Sequence, residues 1–205
     1  MKKIITTSLF LLFTVFYFQA QETTNYTLEE TESIKPLRFG VRLGTPHIIT
    51  GNVEYVTPLL NNRVAVTLDY MSLSKTVDDV SIKYNNFEFG TNIYLSENGK
   101  GLYGSITYFS FKSEGTFSEV EFNNTINDGT GKIDFDTFNF KLGAKLGSTF
   151  YFRIEVGYGF GNIPEYIVVT SNNSTETTLE EIPEIPGISK SGLLIANIGF
   201  GFSFL

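Results

Sequence analysis

Ten charged side chains stand at alternate positions of otherwise apolar stretches. They are Arg38, Arg42, Glu54, Arg63, Asp69, Glu88, Lys141, Lys145, Arg153 and Glu155. Such a set could do three things. Two facing carboxylates could act as general acid and base. A row of carboxylates and cations could pass a proton or a small solute. Alternatively, all ten could pair in one hydrogen-bonded ion network that fills an interior and performs no reaction. His47 is the only histidine, in the turn Thr45-Pro46-His47. A multi-histidine metal site is therefore excluded, and a Ser/His/acid site could only be built on His47. Its other reading is a solvated turn histidine. Glu165, Glu176, Glu180, Glu181 and Glu184 share one polar stretch, which reads as a solvated loop or as a weak site for divalent cations. There is no cysteine, so disulfides, a thiolate nucleophile and an acylated-cysteine anchor are absent.

The elements that position these charges are legible by parity. From Ile133 to Phe160, Phe138, Phe140, Leu142, Ala144 and Leu146 alternate with Asn139, Lys141, Gly143 and Lys145. After Gly147-Ser148 the alternation resumes, with Phe150, Phe152, Ile154, Val156, Tyr158 and Phe160 against Tyr151, Arg153, Glu155, Gly157 and Gly159. Successive strand side chains point to opposite faces, so this is a hairpin with one aromatic face and one face of charge and glycine. Glycine weakens a strand and has no use on a face turned to water. A crowded interior does need it, because a long charged side chain requires a small neighbour. The charges and glycines are therefore placed inside a barrel and the aromatics outside, facing lipid. Pairing Leu146 with Phe150 across a three-residue loop puts Lys141 opposite Glu155, an expected ion pair.

Further strands with the same inside-out alternation are expected at about 37–44, 48–57, 63–73, 81–95, 102–112 and 191–204. In the fifth, Leu102, Ile106 and Tyr108 suggest one outward parity and Phe109 and Phe111 the other, so a bulge is expected near Tyr108. Polar loops are expected at 74–80, 113–132 and 161–190. Connections after the fifth and seventh strands are long, and those after the second, fourth and sixth are short. Such sorting by side suits a barrel with short inner turns and long outer loops.

Composition agrees. The chain has 205 residues, of which 20 are Phe, 11 Tyr and 19 Gly, with 18% charged residues. Mean hydropathy is +0.01, too low for a bundle of membrane helices but compatible with strands that are half apolar. Residues 1–20 have the basic start and apolar run of an export signal, with cleavage expected after Ala20. Residues 21–36 are polar and acidic and read as a flexible periplasmic lead-in. The formal charge of -7 becomes more negative without Lys2 and Lys3, so nucleic acid is not an expected partner.

An export signal, eight alternating strands and the closing run Gly199-Phe200-Gly201-Phe202-Ser203-Phe204-Leu205 together resemble the small outer-membrane β-barrel family, of the OmpA-barrel and OmpX kind. The resemblance spans about residues 37–205. It implies a cell outer-membrane location, lipid and lipopolysaccharide as surroundings, and recognition of the last strand by the barrel-assembly machinery. In that family the last strand usually ends on an aromatic residue, whereas here Phe204 is followed by Leu205. The expectation is thus an all-β, closed, antiparallel eight-stranded transmembrane barrel over 37–205. Its lumen is plugged by the ten charges, and it has a structural or surface-interaction role. No catalytic, cofactor-binding or metal residue is assigned, and no cofactor is expected. The rivals are a narrow channel or carrier, a lipid-modifying enzyme using His47, and an exported soluble β-barrel that binds a ligand.

Overall fold

Alternation of apolar and polar residues, turn after turn, folds this chain into antiparallel strands. The computed structural model describes residues 34–77, 80–123, 125–182 and 187–205. The expected export signal at 1–20, and the lead-in up to residue 33, lie outside the described residues. Among the described residues there are eleven strands: β1 (Leu37–Thr45), β2 (Ile48–Val56), β3 (Val64–Val77), β4 (Val80–Tyr94), β5 (Gly101–Phe122), β6 (Thr125–Gly147), β7 (Phe150–Phe160), β8 (Tyr166–Ser171), β9 (Thr177–Glu181), β10 (Ile188–Ser189) and β11 (Gly192–Phe204).

β1 to β7 pair in sequence, all antiparallel; β7 pairs with β11, and β11 pairs with β1. The result is a closed ring of eight strands. The seam runs from Leu37 opposite Phe204 to Thr45 opposite Ala196. Closure leaves no strand edge in the ring, so every ladder has partners on both sides.

The parity of the sequence sets the two faces. Phe39, Leu68, Phe89, Leu142, Phe152, Val156 and Phe200 are exposed on the outside, while Arg42, Glu54, Asp69, Glu88, Lys141 and Arg153 are buried inside. Glycines stand beside the long inner side chains. Arg42 faces Gly199 across the seam, Lys141 faces Gly157, and Glu155 faces Gly143. A Cβ on Gly157 would come within 2.8 Å of Lys141 Cγ, which is the crowding the glycine-rich parity anticipates.

Four expectations are corrected. First, Gly147 pairs with Tyr151 and Leu146 with Phe152, two residues from the expected register. A shift of two keeps each side chain on its face. The turn decides between the two registers, because Gly147 takes a left-handed φ of +97°, for which glycine is suited. Lys141 is consequently not opposite Glu155. Second, β5 keeps one register from Gly101 to Phe117, with no bulge at Tyr108; the register shift falls between Phe117 and Val120. Phe109 simply points inward. Third, the stretch 113–132 is mostly strand, as β5 and β6 continue to Phe122 and from Thr125, and within 161–190 β8 and β9 form a hairpin that pairs with β6. Fourth, β3 and β4 run through most of 74–80, with Val77 paired to Val80.

These extensions carry a small core of their own. Phe122 and Val169 are buried beside Gly129, where a Cβ would lie 2.6 Å from Val169.

Candidate functional site

The barrel interior changes chemistry along its axis. At the end of the turns joining β2 to β3 and β4 to β5, Glu54 is the centre. Its carboxylate accepts from Arg38 at 2.6 Å, Lys145 at 2.9 Å, Arg153 at 2.5 Å and Asn92 at 2.8 Å. The Tyr94 hydroxyl donates to both its oxygens at 3.0 Å. Register explains the convergence. Arg38 is directly opposite Glu54, and Lys145 is directly opposite Arg153 on β6 and β7. Two adjacent cations repel, and sharing Glu54 offsets this. Tyrosines line the same end. Lys145 Nζ lies 4.9 Å from the Tyr94 ring centre and 5.2 Å from that of Tyr151, and the Arg153 guanidinium lies 5.6 Å from that of Tyr103, which favours buried cations. Arg38 also donates to the carbonyls of Asn98 and Gly99, both at 2.9 Å, so it ties the plug to the turn that closes this end.

In the middle Arg42 bridges three carboxylates: Asp69 at 3.1 Å, Glu155 at 3.3 Å and Glu88 at 3.9 Å. Asp69 and Glu88 face each other across β3 and β4, an arrangement that needs these cations to be tolerated. Glu155 accepts from the Tyr103 hydroxyl at 2.6 Å. Glu88 is the second centre. Lys141 donates to it at 2.8 Å and Asn139 at 2.9 Å, Thr107 donates at short range, and His47 Nε2 lies 2.7 Å away.

Above Glu88 the interior turns apolar. His47 packs edge-on against Phe109 at 5.2 Å, and Phe111 stacks on Phe135 at 4.8 Å. Ile163, Leu193 and Ile195 cluster beside Phe135. The Tyr84 hydroxyl donates to the Pro46 carbonyl at 2.7 Å, which holds the β1–β2 turn folded into the mouth.

Of the ten sequence-assigned residues, nine are buried together in this interior. Arg63 is the exception. It precedes β3, its side chain is 43% exposed, and it pairs with Glu97 at 3.4 Å. His47, read as a solvated turn residue, is instead fully buried. Sequence reasoning missed Tyr94, Tyr103, Asn92, Asn139 and Thr107 as partners. All carry the inward parity, and Tyr103 was hidden by the apparent parity conflict in β5. The acidic stretch does not converge. Glu165 pairs with Lys190 at 2.8 Å, Glu180 and Glu181 lie on β9, and Glu184 is outside the described residues. Among the described residues no group of three His, Asp or Glu side chains could hold a metal ion.

With its polarity inverted and its seam closed, the chain is defined by its own strand pairing as an eight-stranded inside-out β-barrel. Solved structures similar to it include Acinetobacter baumannii CarO, at 14% identity and a TM-score of 0.45, over 82% of this chain and 98% of that one. Another is the N-terminal β-barrel domain of Pseudomonas aeruginosa OprF, at 12% identity and a TM-score of 0.38, over 82% of this chain and 95% of that one. No family model and no curated protein matches the chain.

Proposed function

We propose that the protein is an outer-membrane barrel with a plugged lumen, and that its function lies in the β-structured extensions beyond the bilayer. One observation carries this reading: the ion network is inside and the large apolar side chains are outside. Lys141 and Glu88 have fully buried side chains, whereas Leu142, the next residue after Lys141, is 71% exposed. Water would penalise so apolar an exterior; the hydrocarbon of a bilayer is its natural solvent. An eight-stranded barrel is just wide enough for side chains to fill, and five cations facing four carboxylates fill this one. A charged plug favours a structural or surface-interaction role over conduction. A hydrolytic role would need His47 within reach of a substrate and a serine, and its Nε2 is already committed to Glu88. Lipid and lipopolysaccharide are the expected surroundings, with the barrel-assembly machinery acting on β11.

The test is paired electrophoresis of the membrane fraction, heated and unheated, with ion flux measured in proteoliposomes. A compact band that unfolds only on boiling, together with no flux above protein-free vesicles, is the expected result. A soluble protein without a heat-dependent shift would overturn the membrane reading, and steady flux through a heat-modifiable barrel would overturn the plug.

A further inference from the structure

Strand register sorts the outward face of β3 to β7 into rows. Leu68, Phe89, Tyr108, Phe138 and Phe160 form one row and Tyr70, Phe87, Ser110 and Asp136 the next. Beyond them come Ser72, Asn85, Lys112 and Asp134, and then Ser74, Lys83, Glu114 and Lys132. At about 3.4 Å per residue, Lys112 stands about 14 Å along its strand from Tyr108. The outer face thus passes from aromatic to charged within a few residues.

The two charged rows line a hollow of about 740 Å³, to which Phe87 adds an apolar wall. Lys132 and Lys83 share Glu114, at 3.1 and 3.5 Å, and Lys112 lies 3.6 Å from Asp134. Their ammonium groups are loosely tied, with side-chain exposures of 67% for Lys83 and Lys112 and 72% for Lys132. Lys132, and then Lys83, hold the Glu114 carboxyl below its usual range, so it is charged at neutral pH. Three ammoniums face two carboxylates, a local positive excess on a chain of net charge -7.

We propose that this hollow binds the phosphorylated sugar headgroup of an outer-leaflet glycolipid, an inference that rests on the outer-membrane reading above. The lysines match phosphate oxygens. Glu114, Asp134, Asn85 and the serine hydroxyls match sugar hydroxyls, which a bare phosphate or a simple phospholipid does not offer. The volume is that of a small-molecule site. Acyl chains attached to such a headgroup would run down over Phe87 and Tyr70 onto the aromatic row, continuous with the lipid-facing belt.

The test uses the protein extracted in mild detergent and presented with a diphosphorylated glucosamine-disaccharide lipid, with retention read by native mass spectrometry. The parent should retain this lipid at least tenfold better than its dephosphorylated form or phosphatidylglycerol, and millimolar inorganic phosphate should not displace it. The triple variant Lys83→Gln, Lys112→Gln, Lys132→Gln should lose at least tenfold in retention while keeping its heat-dependent electrophoretic shift. Equal retention of the phosphorylated and dephosphorylated lipids by the parent would overturn the proposal, as would unchanged retention by a folded triple variant. If the triple variant does not fold, the two-lipid comparison on the parent decides. A parent without the heat-dependent shift would signal failure of the membrane reading, separately from failure of the site.

Discussion

Glu54 answers to three cations, Arg38, Lys145 and Arg153, and its charge is the one the plug can least spare. Glu54→Gln should destabilise the refolded barrel by about 3–5 kcal/mol, because buried cations lose their counter-charge; a shift of the urea midpoint at constant slope measures it. A change within error of the parent would count against the convergence. Glu88 supplies the second test. Lys141→Met and Glu88→Gln should show a coupling energy above about 1 kcal/mol in a double-mutant cycle, and larger than that of Lys141→Met with Glu155→Gln. The reverse order would favour the direct Lys141–Glu155 pair that the register of β6 and β7 does not place opposite one another. Parity alone placed Arg42, Lys145 and Arg153 inside. It could not say which acid each would meet, because the register of a hairpin may slip by two without moving a side chain to the other face. Arg63 misled because it precedes β3, where alternation carries no directional meaning. His47 misled because its inward fold depends on Phe109 and Tyr84, each at least 37 residues away along the chain.

At the scale of the element, the ring and the extensions should separate cleanly. Deleting Ile198–Leu205 removes the part of β11 that pairs with Leu37–Leu43 of β1 and with Phe150–Ile154 of β7, which leaves unpaired strand edges in lipid. Loss of the heat-resistant band and of membrane assembly together is the expected result. Deleting Thr170–Glu181 removes only β9 and the end of β8, which lie outside the ring, so the band should persist. Equal damage from both deletions, read by the same electrophoresis, would mean that the extensions hold the ring closed. The eight ring strands were legible because apolar and polar residues alternate in each. β8 and β9 were not. Their sequences YIVVTS and TTLEE lie among prolines and acidic residues, and the pairing of β8 with β6 is a long-range choice that no local signal reports.

At the scale of the molecule, the claim is inversion: charge within, hydrocarbon contact without. Phe152→Arg or Val156→Arg should cost about 2–4 kcal/mol near the bilayer midplane, measured by urea unfolding in lipid vesicles; a cost near zero would place these residues in water. The whole pattern is read more directly at Gly104, Ser105 and Ile106, three successive residues of β5. A Cβ on Gly104 meets no atom within 4 Å, Ser105 is buried in the lumen, and Ile106 is half exposed on the outside. Because the chain has no cysteine, G104C, S105C and I106C each introduce a single reporter thiol. The decisive measurement is the rate at which a lipid-soluble thiol probe labels each variant in vesicles. Fast labelling at 104 and 106 with protection at 105 is the predicted result. Labelling at 105 as fast as at its neighbours, or ready access of a membrane-impermeant reagent to 104 and 106, would contradict it.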